Sequence, residues 1–508
     1  MTATSSPRAP DRLAVLDPAS GAQLDELPLA DADDVRAAVA RGRAAQPGWA
    51  AVGPAERARV LRRARGWLLA NAERVVDSIV AETGKTREDA RIAELSYTLA
   101  ALGFWARKGP GWLRERRTRS ANRFLLGKRL YVGYRPRGVV GVIGPWNFPL
   151  TNSFGDCIPA LLAGNAVLLK PSEETPLTSL LMAEMLRASG LPEDVFQVVV
   201  GAGDAGAALV DEVDQVMFTG STATGRRIAE QAARRLIPVG LELGGNDPMI
   251  VLADADLERA ANGAASYAMF NAGQTCIAIE RAYVEDAVHD RFVALLTERV
   301  AALRCGPSTG TADTDVGAIT SPAQLETIER HVADAVLHGA QVLTGGARVP
   351  GPGRFYAPTV LADCDHGMEV MREETFGPVL PVMRVADADE AVRLANDSPY
   401  GLQASVWTRN VRRGRAIARR LQAGGVSVND AIVLYTALEA PMGGVKDSGL
   451  GVRHGGPDGL RKYCVPQSLL VTPGRWLRHE LNMYPNTARR SALMRRAIAL
   501  LNRSWRPR

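Results

Sequence analysis

With 508 residues, 46% hydrophobic and 23% charged, the chain has the balance of a globular protein with room for two or three packed cores, and a disordered or fibrous polypeptide is excluded. The net charge of +6 hints at nucleic acid, yet residues 473–508 hold nine arginines against one acid, Glu480, so the rest of the chain stands at −2 and a nucleic-acid-binding core is not supported. The five cysteines show no C-x-x-C spacing and no nearby histidine pair, which speaks against a disulfide framework and a zinc site, and the lack of a long apolar run or leader core makes the cytoplasm the expected location.

Residues 31–108 read as scaffold helices, with apolar residues three and four apart, Asp31 and Asp33 as N-cap candidates and Gly84 as a C-cap. Residues 122–139 switch to strand-like alternation around a turn at Gly127 and Lys128. From there apolar runs alternate with helical ones: strands at 139–143, 166–169, 196–200, 215–218 and 238–242, with a helix over 176–189 among the intervening ones. A second series runs from 249 to about 426, with strands at 281–285, 341–344, 380–385 and 404–408. Such alternation predicts parallel βαβ units, so the expected fold class is α/β with two doubly wound parallel-sheet domains.

The stretch from Glu242 to Cys276 supplies a carboxylate and a thiol, each near glycine. Gly201, Gly203 and Gly206 follow the strand-like FQVVV and fit G-x-G-x-x-G. The acidic residue that the dinucleotide fingerprint wants about 20 positions on is missing, so a plain turn into a helix is expected there. A better phosphate site is FTGSTATG at 218–225, where Gly220 admits the backbone to a ligand and Ser221 and Thr222 cap a helix whose N-terminus faces an anion. Alone, an ordinary strand-to-helix turn explains that segment equally well.

It does not stand alone. GPWNFP (144–149), LLKPSEETP (168–176), FTGSTATG, LELGG (241–245), GQTC (273–276), EETFGPV (373–379), SPYGL (398–402) and PMGGVKDSGLG (441–451) appear in this order. Together they resemble the aldehyde dehydrogenase superfamily from about residue 12 to 472, and the closing segment looks most like an actinobacterial branch often labelled succinic semialdehyde dehydrogenase. The resemblance implies a Rossmann-like cofactor domain over 1–121 and 137–243 and a catalytic domain over 244–440. It also implies a small β oligomerisation arm over 122–136 and 455–472, followed by a basic tail over 473–508.

By the same resemblance, Cys276 attacks the aldehyde carbonyl to give a thiohemiacetal, a step that suits the strong nucleophilicity of sulfur. Asn147 and the cysteine's own N–H would hold the oxyanion, a neutral amide being a donor that does not compete for the proton. Glu242 would activate the water that hydrolyses the thioester, and an apolar setting should raise its pKa towards neutrality. Lys170 and Glu173 match the positions at the adenine ribose, Ser221 and the backbone of Trp146 those at the pyrophosphate, and Glu374 and Phe376 those at the nicotinamide. Gly220, Gly225 and Leu243 complete the cofactor set. Glu173 can accept from both ribose hydroxyls and repels a 2′-phosphate, which points to NAD over NADP.

Members that oxidise succinic semialdehyde carry tunnel arginines, whereas the positions that correspond by spacing are Gly155 and Phe270 here. A carboxylate buried without a cation costs on the order of several kcal/mol, so an aliphatic or aromatic aldehyde of moderate size is the expected substrate. Succinic semialdehyde is the alternative, and a non-catalytic membrane-associated scaffold of the same fold is another. A homodimer or homotetramer is expected. In the tail, Leu493, Met494, Ala497, Ile498, Leu500 and Leu501 share one side of a helical wheel opposite Arg495, Arg496 and Arg503. Such a helix suits peripheral contact with an anionic membrane, and equally packing on its own oligomer.

Overall fold

The sheet that carries the first motifs has six strands in the order Gly449–Leu450, Val239–Glu242, Gln215–Thr219, Val139–Ile143, Ala166–Lys170, Phe196–Val198. The computed structural model describes residues 12–122, 125, 127–310, 312–474, 480 and 483–502. All strands of this sheet are parallel except Gly449–Leu450, which runs antiparallel to Val239–Glu242. Its central strands, Val139–Ile143, Ala166–Lys170 and Gln215–Thr219, are buried throughout because both faces are covered. Val140, Val142, Val167 and Leu169 pack with Leu61, Leu102 and Leu161, whereas Val139, Ile143, Ala166 and Leu168 pack with Val35, Val39 and Leu209. The two-residue period of a strand thus feeds two separate cores.

A second sheet has seven strands in the order Gln341–Thr344, Thr359–Ala362, Val379–Val385, Ile279–Glu285, Asp247–Val251, Gln403–Trp407, Gly425–Val428. Only Gln341–Thr344 is antiparallel to its neighbour. Two parallel α/β sheets are therefore present as expected, with an antiparallel strand added at one edge of each. A third, three-stranded sheet pairs Arg129–Pro136 with Cys464–Val471 along its full length and with Arg116–Thr118. Two of its strands fall within the segments 122–136 and 455–472, while Arg116–Thr118 precedes them; positions 123, 124 and 126 lie outside the described residues.

Local signals behave as their chemistry dictates. Asp31, not Asp33, caps the helix Ala32–Ala51, accepting from the N–H groups of Asp33 at 2.8 Å and Asp34 at 3.0 Å. Gly84 ends the helix Ala72–Thr83 in the left-handed region, with φ of 72°. Helical periodicity does not reveal two π-helical turns, Ala90–Ser96 and Pro149–Phe154. The tail forms the helix Ala488–Leu501, capped by Thr487, and buries none of its residues. Lys128 ties Glu480 to the arm at 2.7 Å. Arg503 lies outside the described residues, and among those described no helix is long and apolar enough to cross a membrane.

Candidate active site

Ile143, Lys170, Thr219 and Glu242 are the last residues of four adjacent parallel strands, so they reach one edge of the six-stranded sheet together. A cavity of about 670 Å³ opens at that edge, where open α/β sheets hold their ligands. The second sheet meets it from the other side with the residues that precede its strands: Cys276 before Ile279–Glu285, and Glu374 and Phe376 before Val379–Val385. The chain passes between the sheets at Gly244 and Gly245. A Cβ at Gly244 would lie 2.4 Å from a Glu374 oxygen, and one at Gly245 would lie 2.3 Å from the Cys276 carbonyl. Close approach of Glu242 to the cysteine loop therefore requires both glycines of LELGG.

Every residue named from the sequence as catalytic or cofactor-binding lines this cavity except Gly225. Gly225 sits inside the helix Thr222–Arg235, where a Cβ would collide with Leu243 at 2.4 Å; it lets that helix seat on the cavity wall. The sequence reading of the earlier glycine motif needs a correction. It does turn into a helix, Gly203–Glu212, but Gly203 and Gly206 also line the cavity.

The residues present fit a dinucleotide. Two helix N-termini, at Gly203 and Thr222, converge with Arg227 on the same wall, which is the chemistry of a pyrophosphate site. Ser221 caps its helix through the N–H of Thr224, and Trp146 meets Phe376 edge-on with ring centroids 5.3 Å apart. Lys170, its pKa lowered by burial, pairs with Glu173 at 3.2 Å.

Asn147 is held from behind. Its carbonyl accepts from Lys85 Nζ at 2.7 Å and from Asn271 Nδ2 at 3.2 Å, while its own Nδ2 donates to the Gln274 carbonyl at 2.9 Å. Lys85 is paired at 2.6 Å with Glu94, whose second oxygen accepts from the N–H groups of Leu150 and Thr151. Both side chains are fully buried, so a cation–carboxylate pair fixes the π-helical turn next to Asn147. The cysteine loop is equally constrained, with Asn271 and Ala272 in the left-handed region at φ of 54° and 55°. Neither Lys85 nor Glu94 stood out in the sequence, because no motif encloses them both.

Glu242 is buried and its carboxyl makes no hydrogen bond among the described residues; its Oε2 is wholly enclosed without a partner. Burial lifts its pKa to about 7, against the pull of nearby Arg453 and Lys462. Burial, with Glu374 next, pushes the Cys276 thiol far above its ordinary value. The Cys276 N–H has no partner among the described residues.

Arg453 was not singled out either. It is buried and gives its donors to Asp156 at 2.9 Å, to Asn152 Oδ1 at 2.9 Å, to Tyr435 at 3.3 Å and to Thr219. Burial acts to raise the Asp156 carboxyl, but Arg453 and Lys462 overcome this and hold it below its ordinary value.

On the far side of Cys276 lies a second cavity of about 170 Å³, walled by Tyr97, Phe148, Tyr267, Phe270, Ile277 and Tyr435 among others. Among the described residues, no lysine or arginine lines it. Phe270 stacks on Phe148 with centroids 6.4 Å apart, whereas Gly155 lies behind Tyr97 instead of in the wall. Cys276 and Asn152 line both cavities.

A cavity whose lining fits a dinucleotide at the end of a parallel sheet, joined at a cysteine to an apolar tunnel, defines an NAD(P)-dependent oxidoreductase that works on a carbonyl. The chain belongs to the aldehyde dehydrogenase family: the model of that family matches residues 5–469. It is 45% identical, over 89% of its length and 87% of the other, to a protein of Mycolicibacterium smegmatis provisionally named succinate-semialdehyde dehydrogenase (NADP(+)). It is 38% identical, over 94% and 88%, to 4,4′-diapolycopene aldehyde oxidase of Methylomonas sp. Among solved structures, the Mycobacterium tuberculosis aldehyde dehydrogenase complexed with NAD+ superposes with a TM-score of 0.86 at 35% identity, covering 92% of this chain and 96% of that one. The protein thus catalyses NAD(P)-dependent oxidation of an aldehyde, and a non-catalytic scaffold is not favoured.

Proposed function

We propose that Cys276 is the nucleophile and that its aldehyde is apolar. The observation that carries this is the place of Cys276, alone with Asn152 in facing both the cofactor cavity and the cation-free tunnel. Cys276 attacks as the thiolate, and Glu242, whose carboxyl burial lifts to about 7 and leaves without a hydrogen-bond partner among the described residues, lines the same cavity, ready for the hydrolytic step. The oxyanion of the thiohemiacetal would take the free N–H of Cys276 and the second N–H of the Asn147 amide. Bound NAD(P), held by Lys170, Glu173, Ser221, Glu374 and Phe376, supplies the hydride acceptor. Glu242 then deprotonates the water that hydrolyses the thioester at Cys276. One oxygen of Glu173 is engaged by Lys170, which leaves the other for a ribose hydroxyl and favours NAD over NADP.

Arg453, which bonds the tunnel residues Asn152 and Tyr435, has its donors committed to them and to Asp156 and Thr219 and cannot pair with a substrate carboxylate. Hexanal or benzaldehyde is therefore expected to exceed succinic semialdehyde in kcat/KM by at least about tenfold, since an unpaired buried carboxylate costs more than the ~1.4 kcal/mol of one decade. An aldehyde panel followed by cofactor reduction with both NAD and NADP reads this directly, and a tenfold preference for succinic semialdehyde refutes it.

Two surfaces complete the proposal. The edge strand Cys464–Val471 is exposed at 465–470 and is paired on one side only, so a second copy of the chain is its proposed partner in a homodimer or homotetramer. Residues 483–502 hold four arginines and no acid, with Leu493, Ile498 and Leu500 about half exposed, a pattern that fits an anionic lipid surface. Light scattering should give at least twice the mass of one 54.4 kDa chain. Vesicles rich in phosphatidylserine should carry the full chain in flotation and leave a 1–472 truncation behind; equal recovery of both removes the lipid idea.

A further inference from the structure

Asn152 lies at the junction of the two cavities, and no motif named it. Its backbone enters through the π-helical turn Pro149–Phe154, and its side chain is almost wholly buried. The orientation of its amide is fixed by chemistry. Arg453 Nη1 donates to Oδ1 at 2.9 Å and the Tyr435 hydroxyl donates to the same oxygen at 2.8 Å. A guanidinium can only donate, so the oxygen must face it and Nδ2 must face the other way. Nδ2 has no hydrogen-bond partner among the described residues, and Asn152 lines the open cavity, so its donors are available to a molecule there.

The same guanidinium also donates to Thr219, the residue in register with Glu242 on the neighbouring strand. One cation therefore links Asn152 to the strand end that presents Glu242. The Glu242 carboxyl has an enclosed oxygen without a partner, the Asn152 amide has donors without one, and both residues line the cavity that holds Cys276. A water between them would accept from the amide and donate to the carboxylate.

We propose that Asn152 is a further catalytic residue, whose Nδ2 holds the hydrolytic water against Glu242. Resting on the roles assigned above to Cys276 and Glu242, the step runs as follows. The water oxygen, with one lone pair engaged by Nδ2–H, forms a bond to the thioester carbon. Its proton passes to Glu242, the carbon–sulfur bond breaks, the electron pair returns to Cys276 as thiolate, and the carboxylic acid leaves. Arg453 and Tyr435 are positioning residues that aim the amide.

The test is Asn152→Leu in the full chain, with hexanal and NAD. During turnover the enzyme is acid-quenched and its intact mass gives the fraction acylated on Cys276. The expected result is a fall in kcat of about 10- to 100-fold, the usual cost of a misplaced reactant, with the acylated form predominating and the pre-steady-state rate of cofactor reduction within about threefold of wild type. Wild-type turnover overturns the proposal, and so does slow turnover with unmodified Cys276, which places the defect before the thioester. Asn152→Asp keeps an acceptor for Arg453 and Tyr435 while removing the donor; it must give the same acyl accumulation if the leucine variant does not fold. Failure of the underlying reading has a different signature: Cys276→Ala would still reduce the cofactor.

Discussion

Cys276→Ala is expected to lower aldehyde-dependent cofactor reduction by at least about a thousandfold, the scale on which removal of a covalent nucleophile acts. The fold should survive, because Cys276 is only partly buried and its loop is held by Asn271, Gln274 and Gly273. A Cβ at Gly273 would fall 2.0 Å from the Gly377 carbonyl, so the loop shape is set by backbone contact, not by the thiol. Cys276→Ser should be nearly as inactive, since a hydroxyl buried at that point ionises still less readily than the thiol. Cys157, Cys364 and Cys464 are also buried with thiols pushed up, but none lines the two cavities, and Cys157→Ala should leave kcat within about twofold. The measurement is the initial rate of cofactor reduction beside a thermal melt of each variant. Activity retained in Cys276→Ala sinks the covalent reading outright.

How much of this was legible in the sequence depends on the range over which each residue acts. The two sheets could be read because each strand carries its own apolar run, and Cys276, Glu242 and Asn147 because each sits inside a short motif. The strand Gly449–Leu450 and the antiparallel direction of Gln341–Thr344 could not, as pairing direction is a tertiary property of a strand's partner. Gly203 and Gly206 were discounted for want of a following acid, yet they line the cavity together with Lys170, which ends the neighbouring strand, and Glu173, three residues beyond it. Arg453 and Asp156 lie 297 residues apart in sequence and 2.9 Å apart in space. Each alone is an ordinary charged residue, and only burial makes their pairing obligatory. The same holds for Lys85, which reaches the Asn147 carbonyl across 62 residues.

Glu242→Gln is expected to lower kcat by about 100- to 10,000-fold, the range for loss of a general base, and to leave the enzyme acylated at Cys276. The pH dependence supplies the sign. Burial holds the Glu242 carboxyl near 7 and the base must be ionised, so wild-type kcat should climb as pH rises through about 7 and level off above it. Below that value the group is protonated and cannot accept a proton from water. Glutamine has no such titration, and the residual rate of the variant should lose this acid limb. Glu374, which burial also lifts to about 7, offers the one competing explanation, because it lines the same cavity. Its Oε1 is engaged by the Gly245 N–H at 2.8 Å, whereas the Glu242 carboxyl has no hydrogen-bond partner among the described residues, so the limb should vanish in Glu242→Gln and persist in Glu374→Gln. A limb that survives at Glu242→Gln, or an unmodified Cys276 under turnover, assigns the base elsewhere.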